Sequence, residues 1–191
     1  MNDPLQESLL EVTQFLENMR VSYAVIGGLA ASLRGEPRVT ADVDLVVGAT
    51  VESALELISS LKGSSLEPLF AGVEEVIERA FILPLRHRPT GVKIDLAIGL
   101  SGFEQQALVR AEAMEIAGHE VLVATAEDLL IMKILAGRPR DQQDVEGIVN
   151  AQGESLDWEY CLRTAQLLGD AIDQDLVSHV EKLRQDFDSA I

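Results

Sequence analysis

The sequence predicts a mixed α+β fold that ends in a helical region. In the first two thirds of the chain, short apolar runs with the alternation of β-strands are interleaved with segments of helical period. After residue 124 the apolar pattern is helical throughout. Hydrophobic residues make up 47% of the 191 residues, which is enough for a buried core at this size. We therefore expect an α/β core over residues 1–124 and a helical region over residues 125–191 packed on it.

The first part of the chain alternates helices with strands. Asp3 and Pro4 are typical of a helix N-cap and first turn, and apolar residues then repeat with a helical period. The next predicted elements are a strand in YAVIGG (23–28), a helix starting at LAASL (29–33) and a loop over RGEPRVTA (34–41). A strand in DVDLVV (42–47) and a helix over 51–61, capped by Thr50, follow. Two further strands are predicted over 74–83 and in GVKIDLAIG (91–99).

The remaining elements follow from capping and turn signals. SGFEQQALVR (101–110) has the Ser-x-x-Glu spacing of a capping box and predicts a helix. EIAGHEVLVA (115–124) predicts a hairpin, or a turn followed by a strand. TAEDLLIMKILAG (125–137) predicts a capped helix that ends at Gly137, and the rest of the chain predicts further helices.

The net charge of −17 makes extended nucleic-acid binding unfavourable. The chain has 15 basic against 32 acidic residues, whereas proteins that bind many phosphates need an excess of Lys and Arg. A small anionic ligand in a locally basic pocket is compatible with this charge, above all if a metal ion accompanies it. A basic protein partner is compatible with it too.

The chain has the features of a cytosolic protein. No apolar run is long enough to cross a membrane. The N-terminal stretch MNDPLQESLLEVTQF is acidic and lacks the basic start and cleavage site of a signal peptide. A single cysteine, Cys161, excludes an internal disulfide. We therefore expect the protein in a reducing cytoplasm.

Two aspartates interrupt the apolar strand DVDLVV. Because side chains alternate along a strand, Asp42 and Asp44 project to one face while Val43 and Leu45 project to the other. Neighbouring carboxylates repel each other unless a cation lies between them. Oxygen ligands of this kind suit Mg²⁺, which takes one or two protein carboxylates together with phosphate oxygens and water. The pair therefore predicts a Mg²⁺ site, in which Mn²⁺ can substitute.

A third aspartate lies in the strand GVKIDLAIG. Lys93, Asp95 and Ala97 share one face of this strand. If the strand lies beside DVDLVV, three carboxylates converge, as metal-assisted phosphoryl or nucleotidyl transfer requires. Two of them would hold metal, and the third would complete the site or activate the nucleophile. A solvated sheet face is the alternative, but Asp is disfavoured in strands, so the three together favour function.

The glycine pair Gly27–Gly28 lies between a strand and a predicted helix. Glycine permits close backbone approach, and a helix N-terminus offers free N–H groups to a phosphate. Neither G-x-G-x-x-G nor a P-loop motif is present, which counts against a nucleotide-binding oxidoreductase.

The motifs together resemble a known superfamily. The string GGLAASLRGEPRVTADVDLVV (27–47) is similar to the nucleotidyltransferases that include DNA polymerase beta. It looks most like the minimal nucleotidyltransferases and the related abortive-infection toxin branch. A later string, EDLLIMKILAGRPRDQQDVEGI (127–148), resembles the helical segment of that branch. The resemblance spans roughly residues 20–150 and implies a mixed sheet flanked by helices, with a C-terminal helical subdomain.

The resemblance also implies roles for individual residues. Asp42, Asp44 and Asp95 would be the catalytic acids that bind Mg²⁺, although Asp141 competes with Asp95 as the third acid. The residues implied to bind nucleotide are Gly27, Gly28, Ser32, Arg38, Thr40, Lys133, Arg138 and Asp141.

Structural alternatives exist for the later motif. Lys133 lies in an apolar helix, where a lysine on the solvent edge is the ordinary case. Arg138 and Arg140 follow a predicted helix, where basic residues complement the negative end of the helix dipole. Asp141 and Asp144 would then be acidic residues in the first turn of the next helix.

The sequence is compatible with two functions. The first is a Mg²⁺-dependent nucleotidyltransferase that transfers a nucleoside monophosphate from a nucleoside triphosphate to a protein, RNA-end or small-molecule hydroxyl, in a toxin–antitoxin or phage-defence setting. The alternative is a nucleotide-binding or partner-binding module with the same fold and little catalysis. The second is favoured by Leu29, which stands where many superfamily members have Ser.

Overall fold

The computed structural model describes residues 3–190, which form two compact units. The first unit contains the described residues through 29 together with residues 39–124. The second contains residues 30–38 and the described residues from 125 onward. The expectation of a core over 1–124 and a helical region over 125–191 differs from this division in one segment, since residues 30–38 belong to the helical unit.

The first unit is built on a mixed sheet. Its described strands are β1 (Tyr23–Ile26), β2 (Asp42–Val47), β3 (Leu66–Pro68), β4 (Ile82–His87), β5 (Lys93–Ile98), β6 (Glu112–Ile116) and β7 (His119–Val123). They lie in the order β3-β4-β5-β2-β1-β7-β6. The pairs β2–β5 and β1–β7 are parallel, and the other pairs are antiparallel. The sheet therefore places β2 between β1 and β5, so that the strand with two aspartates is central.

Four helices belong wholly to this unit, and a fifth starts in it. The four are α1 (Pro4–Asn18), α3 (Val51–Ser60), α4 (Val73–Ala80) and α5 (Gly102–Arg110), while α2 (Gly27–Arg34) passes into the second unit from Ala30 on. Asp3 caps α1 by accepting a hydrogen bond from the Leu5 N–H, and Thr50 and Ser101 cap α3 and α5 with capping boxes. The mixed α+β class and the strands predicted at YAVI, DVDLVV and KIDLAI are confirmed.

The strand predicted over residues 74–83 is wrong. The structure has α4 there, and β4 begins only at Ile82. Val73 and Ile77 are both buried and stand four residues apart, which is the helical period, while the glutamates after Val73 lie in the first helical turn. The short strand β3 was not predicted at all.

The second unit is helical, as predicted. Besides the end of α2 it contains α6 (Ala126–Ala136), α7 (Pro139–Gln152), α8 (Trp158–Ile172) and α9 (Val177–Ala190). Within it, α6 packs on α7 and α8, and α8 packs on α9. Thr125 caps α6, and Gly137 ends it with a φ of 60°. Within residues 3–190, none of the helices combines the length and the hydropathy needed to cross a membrane.

A glycine lets two backbones of the second unit come close together. The Gly35 N–H, just after α2, donates to the Ala31 carbonyl. A Cβ on Gly35 would lie 2.7 Å from the Ile148 nitrogen and 2.8 Å from the Gly147 carbonyl carbon, both backbone atoms of α7. Any side chain at residue 35 would therefore push α7 away.

We expect Gly35→Ala to lower the free energy of unfolding by about 1–3 kcal/mol, because backbone atoms cannot yield to the added methyl group. Urea unfolding followed by circular dichroism measures this change. Gly102→Ala is the matched control, since a Cβ there meets no heavy atom within 4 Å. The control should leave stability unchanged or slightly raised. Equal stability of the two variants would contradict the close approach.

Candidate active site

The three strand aspartates lie on one face of the sheet. In the parallel register of β2 and β5, Asp42 is opposite Lys93 and Asp44 is opposite Asp95. Val43 and Leu45 occupy the other face and are fully buried. The carboxylates are half-buried. The register therefore puts the three aspartates on one face of two neighbouring strands within the first unit.

We call the sheet face that carries Asp42, Asp44 and Asp95 the acidic face, and it is covered at the end where Val46 lies. Alternation along β2 continues the face from Asp44 to Val46, which is 1% exposed. Asp42 and Lys93 begin their strands and are half-buried. The first residues of β2 and β5 therefore keep partial contact with solvent on this face.

Lys93 forms an ion pair with Asp95. The Lys93 Nζ lies 2.6 Å from Asp95 Oδ2. This hydrogen bond to Asp95 raises the pKa of Lys93, partial burial opposes the shift, and the negative charges of Asp95, Asp42 and Asp44 add to it. The lysine is thus a stable cation among three carboxylates. Sequence reasoning did not assign Lys93 to the site, although its place two residues before Asp95 puts both on one strand face.

Gly27 contacts the carboxylate of Asp44. Ile26 pairs with Asp44 in the antiparallel β1–β2 register, so the next residue starts α2 directly beside that side chain. Gly27 has a φ of 71°, and a Cβ on it would lie only 2.6 Å from the Asp44 Cβ and closer still to the carboxylate. Only glycine fits there, both for its backbone conformation and for space. The helix begins at the glycine pair itself, earlier than the predicted start at Leu29.

The donor set of this face fits a magnesium ion. Asp42 and Asp44 supply hard carboxylate oxygens on one side of a strand, and the missing side chain at Gly27 leaves space for the Asp44 carboxylate itself. Among residues 3–190, no group of three or more Asp, Glu, His or Cys side chains is arranged to hold a metal on its own. Two carboxylates with phosphate oxygens and water are an ordinary Mg²⁺ shell. The metal ligation predicted for Asp42, Asp44 and Asp95 stays a prediction.

In the second unit, Lys133 is buried between two aspartates. It is 4% exposed, and its Nζ lies 2.6 Å from Asp144 Oδ2 and 3.3 Å from Asp141 Oδ1. The interpretation of Lys133 as a lysine on a solvent edge is therefore wrong. Asp141 lies in the first turn of α7, as the structural interpretation of this residue predicted.

Two arginines complete this cluster. Arg38 donates from Nε and Nη2 to both carboxylate oxygens of Asp144, with an Nη2–Oδ2 distance of 2.9 Å. Arg138 donates to Asp141 at 2.6 Å from Nε and 3.1 Å from Nη2. We call these five side chains, Lys133, Asp141, Asp144, Arg38 and Arg138, the ion cluster. It contains three cations and two anions, and the arginine side chains are 30% and 52% exposed.

The cluster keeps both aspartates ionised. Burial alone would raise the pKa of Asp144, but hydrogen bonds from Arg38 and Lys133 and their positive charges outweigh it and lower that pKa. At Asp141, burial is likewise outweighed by hydrogen bonds from Arg138 and Lys133, and the pKa lies below its ordinary value. The cluster is therefore a stabilising element at neutral pH.

Ser32 lies in α2, and Thr40 lies in the loop between α2 and β2. The Ser32 hydroxyl donates to the Arg38 carbonyl at 3.2 Å, and it accepts from the Arg38 N–H at 3.3 Å. These bonds hold the loop backbone near Arg38. Thr40 is half-buried in the first unit.

The predicted site residues thus fall into two sets. Asp42, Asp44, Asp95, Gly27, Gly28 and Thr40 belong to the first unit, and Ser32, Arg38, Lys133, Arg138 and Asp141 belong to the second. Within each set the geometry brings together most of the side chains that the sequence singled out. The nucleotide contacts assigned to both sets stay predictions.

We expect Lys133→Met to lower the free energy of unfolding at pH 7 by about 3 kcal/mol or more, because two buried carboxylates lose their shared cation. The pH dependence should change as well. The depressed pKa values of Asp141 and Asp144 stabilise the fold above the ordinary value of 3.8, and this stability is lost as pH falls through the folded values. The variant should lose less stability than the wild type below about pH 4.

Urea unfolding at several pH values tests this, with Lys182→Met as the matched control. Lys182 is an exposed lysine of α9 in the same unit, and its replacement should change stability by less than about 0.5 kcal/mol. A Lys133→Met variant with the stability and acid dependence of the control would contradict the role of the ion cluster.

The fold of the chain is similar to that of several solved structures. It superposes with a TM-score of 0.65 on an antigenic nucleotidyltransferase-like protein from Paracoccidioides brasiliensis, at 22% identity over 99% of this chain and 92% of that one. Two adenylyltransferase structures share the fold more distantly. ANT(2″)-Ia, in complex with adenylyl-2″-tobramycin, matches with a TM-score of 0.52 at 15% identity, over 97% of both chains.

The second adenylyltransferase is the lincomycin-bound lincosamide enzyme LnuA. It matches with a TM-score of 0.50 at 15% identity, over 77% of this chain and 98% of that one. No curated protein sequence matches the chain. The sequence model of DUF6036, described as a nucleotidyltransferase of unknown function, matches residues 5–187. The resemblance drawn from the sequence motifs is therefore confirmed, and the chain belongs to the DUF6036 family of nucleotidyltransferases.

Proposed function

We propose that this protein transfers a nucleoside monophosphate from a Mg²⁺-bound nucleoside triphosphate to a hydroxyl acceptor. The observation that carries the proposal is the acidic face, where Asp44 lies in register with Asp95 and against the bare backbone of Gly27. Three carboxylates beside a helix start are suited to a metal-bound triphosphate. A sheet face kept only for solubility would not require a glycine at residue 27.

Asp42 and Asp44 would hold the metal ion. The ion supplies charge neutralisation to the triphosphate when it is bound. The first N–H groups of α2, which starts beside Asp44, would donate to a phosphate of the triphosphate. In this arrangement the chain contributes positioning and fixed charge, which supply most of the catalysis in phosphoryl chemistry.

The reaction is an in-line displacement. The acceptor oxygen forms a bond to the α-phosphorus, and the bond from that phosphorus to the oxygen bridging the β-phosphorus breaks. Pyrophosphate leaves with the electron pair of the broken bond. The hydroxyl proton passes to water or to Asp95, the third carboxylate of the face.

A small hydroxylated molecule is the acceptor class to test first. The two adenylyltransferases that share this fold carry lincomycin and adenylyl-tobramycin. The net charge of −17 is unfavourable for an RNA acceptor and favourable for a cationic one. A protein side chain is the other acceptor that we propose to test, in a toxin–antitoxin or phage-defence setting. We place the reaction in the cytoplasm, where the buried thiol of Cys161 stays reduced.

A binding module with little catalysis is the second candidate. Leu29 favours it, because the residue after the glycine pair offers no hydroxyl to a phosphate. Nucleotide binding without release of pyrophosphate, together with a co-purifying protein, would support this candidate over the first.

We expect the double variant Asp42→Asn and Asp44→Asn to reduce nucleotide transfer by about a thousandfold or more, because metal ligation contributes several kcal/mol to such a reaction. The assay follows pyrophosphate release and labelled product with each ribonucleoside triphosphate and Mg²⁺. Asp186→Asn, at an exposed position of α9, is the matched control and should keep full activity. Wild-type levels of product from the double variant would refute the proposal.

We expect Gly27→Ala to abolish nucleotide binding, because its methyl group displaces the Asp44 carboxylate. Gly91→Ala is the matched control. Gly91 has a similar φ of 76°, but a Cβ on it meets no heavy atom within 4 Å. Both variants carry the same backbone strain, so a thermal shift with nucleotide and Mg²⁺ isolates the effect of the contact with Asp44. Equal nucleotide responses in the two variants would show that this contact has no part in binding.

A further inference from the structure

Lys93 is a cation built into the acidic face. It lies opposite Asp42 in the β2–β5 register and two residues before Asp95 on the same face of β5. Its Nζ is 2.6 Å from Asp95 Oδ2. We propose that Lys93 takes the place of a second metal ion, so that this protein binds its nucleotide with a single divalent ion held by Asp42 and Asp44. This inference rests on the function proposed above.

The charge on the face requires more than one cation. Neighbouring strands lie about 4.8 Å apart, and residues two apart on a strand about 6.7 Å apart, so the three carboxylates repel one another. One divalent ion between Asp42 and Asp44 balances two of them. Asp95 is balanced by the ammonium group of Lys93, which already bonds to it. A second metal ion would have to displace that ammonium group.

The next strand does not offer an equivalent cation. Arg86 on β4 pairs with Lys93 in the antiparallel register, and its guanidinium group donates to the Leu69 carbonyl at 3.4 Å. Pro84 is the residue opposite Asp95 on that strand. Among the described strand residues next to Asp95, Lys93 is therefore the cation that reaches its carboxylate.

The pair is also accessible from solvent. The side chain of Lys93 is 41% exposed and that of Asp95 is 23% exposed. An ammonium group is a compact point charge that binds phosphate oxygens from a flexible stem. Lys93 can therefore hold Asp95 and turn a hydrogen toward a bound triphosphate, and it would supply there the positive charge that a second metal ion would supply. An ordinary exposed ion pair would contribute little to stability and would not affect metal binding.

Counting bound ions tests the inference. The full chain is dialysed to equilibrium against Mn²⁺ and the α,β-methylene analogue of each ribonucleoside triphosphate in turn, and bound Mn²⁺ is divided by bound analogue. We expect a ratio of one in the wild type. Lys93→Met should raise the ratio to two, because Asp95 becomes free to bind a second ion. Lys93→Arg keeps a cation beside Asp95 and should stay at one.

Lys62→Met is the matched control, since Lys62 is an exposed lysine of the same unit, and its ratio should remain one. A ratio of two in the wild type, or of one in a folded Lys93→Met, would overturn the role of Lys93 and leave the proposed function standing. If Lys93→Met fails to fold, the wild-type ratio decides between one ion and two. Failure of the wild type to bind any analogue would overturn the proposed function and this inference with it.

Discussion

The parallel pairing of β2 with β5 is the constraint on which the rest of the site depends. Its register puts Asp44 beside Asp95 and Asp42 beside Lys93. The opposite faces of both strands carry fully buried apolar residues such as Val43 and Ile94. A slip of one residue would bury the aspartates and expose this core, so hydrophobic burial fixes the carboxylates in place.

The electrostatic cost of this face is offset locally. The positive charge of Lys93 balances the negative charge of Asp95. Because Gly27 has no side chain, the Asp44 carboxylate occupies the space that a Cβ would fill. The second unit handles its own buried charges in a similar way, with Lys133 shared by two aspartates. In both units, a lysine forms ion pairs with acidic residues at buried or half-buried positions.

The sequence predicted those parts of the site that depend on local periodicity. The alternation in DVDLVV and KIDLAI put the aspartates on one face of each strand, and both strands are present. The sequence did not predict contacts between residues that are distant in the chain, because nothing in it shows that Arg38 bonds to Asp144. Helix α4 was mistaken for a strand, since apolar residues spaced by three or four also fit a loose alternation in so short a segment. The sequence put Lys93 on the same strand face as Asp95, but only the structure shows the ion pair between them.

The central claim is that Asp42 and Asp44 bind a metal ion on a triphosphate beside Gly27. A crystal structure of the protein with Mn²⁺ and a nonhydrolysable nucleoside triphosphate tests this claim most directly, because the anomalous signal of Mn²⁺ distinguishes the ion from water. We predict an anomalous peak within coordination distance of Asp42 and Asp44, with triphosphate oxygens completing its shell at the start of α2. A nucleotide bound elsewhere, or a peak away from both carboxylates, would contradict the account.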